Sequence, residues 1–219
     1  MCSGRVMVTE KLLKGIVNFR NGDFETHRQL FEELKDNQKP HTLFITCSDS
    51  RIDPNMITGT LPGELFIVRN VANIVPPCRE TSEYVSTTSA IEYAVQMLGV
   101  ENIIVCGHSN CGGCSASLNA PEKLDQLPHT KKWLELMESV RERVLSEFAE
   151  DEPTVREWMM EQINVVEQLR HLMTYPYIYE KVMAKELMLS GWHYMIETGE
   201  VFIYDYRAGE FRLANGSRA

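Results

Sequence analysis

The stretch HTLFITCSDSR, residues 41–51, runs an apolar segment straight into three reactive side chains at alternate positions, Cys47, Asp49 and Arg51. Two other short runs share the character of that segment. ELFIVRN (64–70) and NIIVCG (102–107) are β-branched or aromatic and apolar almost throughout, the composition of strands covered on both faces. Strands of that kind predict a parallel sheet. Between the second and third runs lies SAIEYAVQMLG (89–99), with Ser89 and Glu92 at capping-box spacing and Ala90, Ile91, Ala94, Val95 and Leu98 on one apolar face. It reads as the crossover helix of a β-α-β unit. Upstream, residues 8–36 carry Leu12, Leu13, Ile16, Val17, Leu30, Phe31 and Leu34 at helical spacing, broken at Asn21-Gly22, which predicts two helices free to wrap a partner. Downstream, 128–185 reads as largely helical, and LSGWHYMIETGEVFIYDY (189–206) as two strand-like runs around Thr198-Gly199.

With no repeat, low-complexity tract or linker, the expectation is a single α/β domain with a mostly parallel central β-sheet flanked by helices. An N-terminal helical arm at 1–37 precedes a core at 38–127 that holds the reactive residues. Helices and terminal strands, including an antiparallel edge strand, fill 128–219. The composition agrees: 219 residues, 43% of them apolar, suffice for a full core without disulfide staples. The formal charge of −9, with basic residues dispersed, disfavours nucleic acid as a partner. No apolar run approaches the roughly 18 residues of a membrane span, since Arg69 and Asn70 interrupt the longest candidate. The start, MCSGRVMVTEK, has no basic-then-apolar leader, and Cys2 follows no apolar segment that would mark a lipid attachment site, so a cytoplasmic chain is expected. Six unevenly spaced cysteines, at 2, 47, 78, 106, 111 and 114, then stay thiols and point to metal or catalysis rather than a disulfide framework.

The chemistry gathers at two predicted strand ends. In open α/β sheets the carboxyl ends of the strands are where ligands bind. There the first strand delivers Cys47, Asp49 and Arg51, and the third runs into CGHSNCGG, where His108 and Cys111 have the H-x-x-C spacing that lets two side chains meet on one ion. Two thiolates and one imidazole favour zinc, and three protein ligands leave a fourth tetrahedral position open for catalysis. Cys111, beside Gly112 and Gly113 at an expected helix start, is expected to have its thiolate favoured by the helix dipole. Asp49 and Arg51 could be an ordinary ion pair. Next to an open metal position, Asp49 is instead a fourth ligand or a group acting on bound water, and Arg51, by holding it off the metal, selects the second role. Cys111-Gly-Gly-Cys114 is formally C-x-x-C, but Cys111 is already claimed, and the glycines lack the Lys-Ser/Thr of a phosphate loop. Cys106 and Cys114 read as small core residues, and His27, His41, His129, His171 and His193 as surface or packing residues.

CSDSR at 47–51 and GHSNCGG at 107–113 resemble the signature pair of the β-class carbonic anhydrases, and the likeness extends through QKP (38–40), PGELFIVRNVANIVPP (62–77), SAIEYAV and the terminal strands. The resemblance implies a zinc enzyme, with one Zn(2+) per chain, that interconverts carbon dioxide and bicarbonate by zinc-bound hydroxide. It implies a homodimer or a multiple of dimers with active sites at the subunit boundary. Carried over motif by motif, the zinc ligands fall on Cys47, His108 and Cys111, the dyad on Asp49 and Arg51, and the substrate-lining positions on Gln38, Phe66, Val71, Tyr93 and Gly112. A carbonyl sulfide or carbon disulfide hydrolase of the same fold would share every metal ligand, whereas a non-catalytic zinc or redox module would need a fourth protein ligand. One branch of the family also binds bicarbonate at an inhibitory site, lined by a Trp three residues before the first zinc Cys, an Arg and a Tyr, and moves the dyad Asp onto zinc; Arg69 and Tyr194 are this chain's candidates for the last two, although Arg69 lies in a stretch common to both branches. This chain has Phe44 at that position, with Thr46 and Ile52 in place of smaller residues, so an open site with Asp49 paired to Arg51 is expected.

Overall fold

The computed structural model describes residues 8–80, 83, 85–119 and 121–215, so Cys2 lies outside the described residues. The chain divides into two compact units, Met1–Gln38 and Lys39–Ala219. The first unit holds α1 (Val8–Asn21), α2 (Asp23–Thr26) and α3 (Arg28–Leu34). The expected break at Asn21-Gly22 is present, but a second one at His27 makes three helical segments where the periodicity predicts two. The reason is local: the Phe24 and Phe31 rings stack at 5.2 Å and Phe19 meets both edge-on at 6.2 and 6.0 Å, a cluster that folds the segment back on itself. Leu12, Leu13, Ile16 and Val17 of α1 are all more than half exposed.

In the second unit β1 (Thr42–Cys47), α4 (Pro54–Thr58), β2 (Leu65–Asn70), α5 (Ser86–Glu92), β3 (Asn102–His108) and α6 (Gly112–Asn119) alternate, with the three expected strands, the expected crossover helix and a short α4 that the sequence reading does not contain. They are followed by α7 (Pro128–Leu134), α8 (Glu138–Glu147), α9 (Pro153–Leu172), α10 (Pro176–Met183), β4 (Met188–Tyr194), β5 (Val201–Asp205) and β6 (Glu210–Leu213). The six strands make one sheet in the order β2-β1-β3-β4-β5-β6, with β1 to β4 parallel and the last two pairings antiparallel. All six residues of β1 are buried, as a strand between two neighbours and two helical layers requires. β6 is a strand that the sequence reading passes over, because EFRL is short, charged and mostly exposed and carries none of the apolar signal of a covered strand.

The crossover helix starts a turn earlier than its apparent capping box. Ser89 lies inside α5 and donates to the Ser86 carbonyl at 3.0 Å, and no side chain caps the first turn. Tertiary contacts set that start instead: Asn70 Nδ2 donates to Thr87 Oγ1 at 3.3 Å, and Thr88 Oγ1 sits 3.3 Å from the Tyr175 hydroxyl. Past Glu92 the backbone widens by one residue, with Leu98 N–H donating to the Tyr93 carbonyl, and ends at Gly99 in the left-handed region with φ 66°.

Helix α9 lies against β3 and β4 without a layer of side chains from Gly107 or Gly191 to hold it away. A Cβ at Gly107 would stand 2.7 Å from Val165 Cγ2, and one at Gly191 would stand 2.9 Å from Leu169 Cδ1 and from Val165 Cγ1. Val165 is fully buried and cannot swing aside. Gly107→Ala is therefore expected to lower unfolding free energy by about 1–3 kcal/mol, the usual cost of overpacking. Urea denaturation checks it: the midpoint should fall with the slope unchanged, and a parent-like midpoint would mean that α9 can shift without cost.

Candidate metal centre

The direction of the chain connections locates the site. β1 leads through α4 outward to β2, whereas β3, its other neighbour, leads through α6 and the following helices to β4. The crevice between β1 and β3 at their carboxyl ends is thus the point where the strand order reverses. Cys47 is the last residue of β1, His108 the last of β3, and Cys111 the residue before α6. Their ligating atoms all lie within 4.8 Å of one another, and all three residues are buried. Among the described residues this is the one group of three or more His, Cys or acidic side chains placed to share an ion.

The donors are prepared for a cation. His108 Nδ1 donates to the Ser109 carbonyl at 2.9 Å, which leaves the lone pair on Nε2. That Nε2 is buried and has no hydrogen-bond partner, so its lone pair is free to take a cation. The thiol of Cys47 is pushed up to about 12, first by sharing its hydrogen with Cys111 and then by burial. Cys111 is also pushed up, mainly by its contact with Cys114. In the metal-free protein these contacts outweigh the helix-dipole effect expected for Cys111, so both cysteines hold their protons until a cation displaces them. Burial opposes protonation of His108, but contact with Cys47 and the Ser109 carbonyl raises it overall. Two soft thiols and an imidazole whose Nε2 is unpaired fit zinc.

Asp49 stands at the rim, with Oδ2 4.0 Å from His108 Nε2. Its carboxylate takes three hydrogen bonds from Arg51: the backbone N–H at 3.0 Å and Nε at 2.9 Å on Oδ1, and Nη2 at 2.8 Å on Oδ2. Nη2 also donates to the Asn110 carbonyl at 3.0 Å, tying the dyad to the loop between His108 and Cys111. This bidentate fork holds Asp49 well below the usual carboxylate range. Three of its four lone-pair sites are occupied, and the remaining one is on Oδ2. Arg69 braces the same loop from behind, donating to the Cys47 carbonyl at 3.0 Å and to the Asp49 carbonyl at 2.6 Å.

The turn after β2 supplies another contact. Ala72 and Asn73 adopt φ of 63° and 48°, left-handed values that cost energy in any residue but Gly. Asn70 clamps the turn, accepting from Ile74 N–H and donating to the Ile74 carbonyl, both at 2.8 Å. Trp133 Nε1 donates to the Val71 carbonyl at 2.9 Å. The Ala72 backbone beside Cys47 opposes the rise of its thiol, a smaller effect than Cys111 and burial. Gly113 is part of the same packing, since a Cβ there would stand 2.9 Å from the Ala72 Cβ.

Sequence reasoning missed a stripe of polar side chains on the buried face of α9. Asn164 Nδ2 donates to the Ala72 carbonyl at 2.9 Å, Gln168 Oε1 accepts from Val75 N–H at 2.8 Å, and Glu161 Oε1 accepts from Cys111 N–H at 2.9 Å. Their spacing, i, i+3 and i+7 among apolar neighbours, is the signal that could have found them. His171 Nδ1 adds a bond to the Val75 carbonyl at 2.7 Å, and His193 is wholly buried against Glu161 at 3.1 Å, so neither is only a packing residue.

The residues expected around the substrate fall in separate places. Gly112 follows Cys111 directly, and Val71, two-fifths exposed, packs beside Gly113. Phe66 and Tyr93 form their own pair with ring centroids 6.1 Å apart. In register Phe66 is opposite Leu43, four residues before Cys47, which at ~3.3 Å per residue is roughly 13 Å from the cluster along the strand. Gln38 is an exposed residue at the end of the first unit. Phe44, where a Trp would serve a second bicarbonate site, is fully buried edge-on to Trp192 at 5.8 Å, and Thr46 Oγ1 donates to the Cys106 carbonyl at 2.9 Å.

This parallel sheet, with a Cys-His-Cys cluster at its switch point and an Asp-Arg dyad at the rim, defines a class that comparison with known proteins names. Residues 42–201 match the family described as carbonic anhydrase. A carbonic anhydrase of Helicobacter pylori J99 is 39% identical over 201 residues, 90% of each chain, and one of Synechocystis sp. PCC 6803 is 41% identical over 90% of this chain and 71% of its own. Among solved structures, the beta-carbonic anhydrase CcaA superposes with a TM-score of 0.90 at 39% identity, over 94% of this chain and 99% of that one. A tetrameric beta-carbonic anhydrase of Sordaria macrospora gives 0.78 at 31% identity over 88% and 94%. The chain belongs to the carbonic anhydrase family, and within it to the β class.

The Asp49–Arg51 fork has a measurable signature. A carboxylate whose folded pKa is depressed adds stability above its unfolded pKa, near 3.9 for Asp, and that contribution is lost as pH falls through the folded value. A carboxyl-carbon NMR titration should show no Asp49 step in the ordinary Asp range, and Arg51→Ala should bring the step back to about 4. An ordinary step in the parent protein would contradict the fork.

Proposed function

We propose that this chain catalyses the reversible hydration of carbon dioxide to bicarbonate and a proton, with one zinc ion held by Cys47, His108 and Cys111. The observation that carries the reading is the convergence of those three buried donors beside an ionised carboxylate with one lone pair uncommitted. A zinc ion there supplies the Lewis acidity that lets water act as a nucleophile near neutral pH. The protein supplies orientation. Oδ2 of Asp49 accepts a hydrogen from the attacking water and so turns an oxygen lone pair toward the carbon of carbon dioxide. Arg51 fills the other acceptor positions, so Asp49 keeps its charge and its direction through the reaction.

Gln38 is assigned the donor to the developing oxyanion, and Val71 and Gly112 part of the pocket wall. Phe66 and Tyr93 pack with each other on the outermost parallel strand and the helix next to it, well away from Cys47 of the same chain. Their assignment to the substrate pocket therefore requires a second copy, and the working form is a homodimer or a multiple of dimers. All five described cysteines are free thiols, which suits a reducing, cytoplasmic setting. Among the described residues no helix is long and apolar enough to cross a membrane.

Zinc analysis and stopped-flow carbon dioxide hydration on one sample test this reading. The parent should carry about one zinc per chain, the proposed stoichiometry. Cys47→Ala, His108→Ala and Cys111→Ala should lose zinc and activity, whereas Ser at Cys78, Cys106 or Cys114 should keep both. Asp49→Asn should hold zinc and lose most activity, by about 10²–10³-fold for a group that orients the nucleophile. Normal hydration by Asp49→Asn, or zinc retained in Cys111→Ala and lost in Cys114→Ser, would overturn these assignments.

The chain should also lack an inhibitory bicarbonate site. Phe44 has no indole N–H to offer, its ring is packed on Trp192, and Arg69 already donates to the Cys47 and Asp49 carbonyls. An anion placed there would be poorly satisfied. Hydration rate against bicarbonate near pH 7 should fall as simple product competition, and a sigmoidal curve would refute this.

A further inference from the structure

We propose that Glu161 and His193 form a buried positioning pair that sets the direction of the metal ligand Cys111, the proposal resting on the zinc reading above. Glu161 is 4% exposed and His193 wholly buried, in a core where an unsatisfied polar group is expensive. Both carboxylate oxygens are engaged. Oε1 accepts the Cys111 backbone N–H at 2.9 Å, and Oε2 faces His193 Nε2 at 3.1 Å. His193 Nδ1 is buried without a partner, a state tolerable for a bare lone pair and not for an N–H, so the ring hydrogen sits on Nε2 and donates to Glu161. Aromatic rings fix the imidazole, with Trp158 edge-on at 5.1 Å and Phe211 at 6.3 Å.

The direction of support runs from the fold to the ligand. Glu161 belongs to α9, which touches β3 directly at Gly107, the residue before His108. His193 belongs to β4, which pairs with β3 so that Gly107 and His193 are register partners. The pair therefore joins the helix and strand that flank the His108 strand and passes their rigidity to the one ligand not in regular structure. Cys111 is the residue before α6, and its N–H is not taken up by the helix. Without an acceptor it would be buried and unpaired, and the Sγ direction would be set by the loop alone. Groups behind a ligand that orient it typically change metal affinity 10–100-fold when removed. An apolar helix would pack at least as well, so this stabilises a direction rather than the fold.

Zinc affinity by competition with a chromophoric chelator, the absorption of the cobalt-substituted protein, and the melting temperature of the metal-free protein separate a positioning role from a structural one. Glu161→Ala should bind zinc about 10–100-fold more weakly and shift the thiolate-to-cobalt bands. Glu161→Gln keeps an acceptor oxygen for the Cys111 N–H but turns its amide NH2 toward the His193 Nε2–H, so it should bind zinc more tightly than Glu161→Ala and more weakly than the parent. His193→Phe fills the ring's space without the hydrogen bond and should weaken zinc several-fold, with a smaller band shift than Glu161→Ala. Glu161→Ala binding zinc like the parent would overturn the proposal, as would Glu161→Gln losing zinc as badly as Glu161→Ala. Should Glu161→Ala fail to fold, His193→Phe decides, and parent-like affinity with unshifted cobalt bands overturns the pair's role. A parent that binds no zinc would instead refute the metal reading itself.

Discussion

The contact of α9 with the sheet at Gly107 and Gly191 is the constraint from which the rest of the site follows. A single methyl group at either position would meet buried side chains below contact distance, so the helix has one depth at which it can rest. From that depth Glu161 reaches Cys111, Asn164 reaches Ala72, and Gln168 reaches Val75. Two loops that rise from different strands are thereby referenced to the same rigid element. A site of three donors must hold its geometry to a fraction of an ångström, and a helix seated at van der Waals contact supplies that where loops alone cannot.

Charge is arranged around this frame with a division of labour. Arg51 binds the side chain of Asp49, and Arg69 binds the backbone carbonyls of Cys47 and of Asp49 itself, so carboxylate and loop are held by different cations. The two thiols keep their protons in each other's company and await a cation. Behind them the left-handed turn at Ala72 is held by Asn164 on its carbonyl and packs against Gly113.

Much of this was legible in the chain. The apolar runs at 42–46, 64–70 and 102–107 read correctly as parallel strands from their β-branched and aromatic residues, although only β1 is buried throughout and the edge strand β2 buries Val68 alone. Motif spacing placed Cys47, His108 and Cys111 at strand ends, where the structure brings them together. Three local signals misled. The Ser89/Glu92 pattern is an interior i, i+3 pair, the arm breaks again at His27, and the exposed β6 gives no apolar signal. For α5 contacts from distant residues outweighed the local pattern, for the arm a neighbouring phenylalanine cluster did, and β6 lacks the burial that makes a strand legible.

The sequence by itself determined that three apolar strands and a crossover helix form, which residue types carry the chemistry, and that two motifs far apart in the chain stand at strand ends. Those are consequences of periodicity and of donor chemistry, which are local. Only the tertiary structure decided that Asp49 is held by three bonds from Arg51, that Phe66 and Tyr93 lie away from the cluster of their own chain, and that a buried carboxylate and imidazole stand behind Cys111. Such facts depend on the depth at which a helix meets a sheet and on the register between strands, and these are set by side chains 32 to 93 positions away.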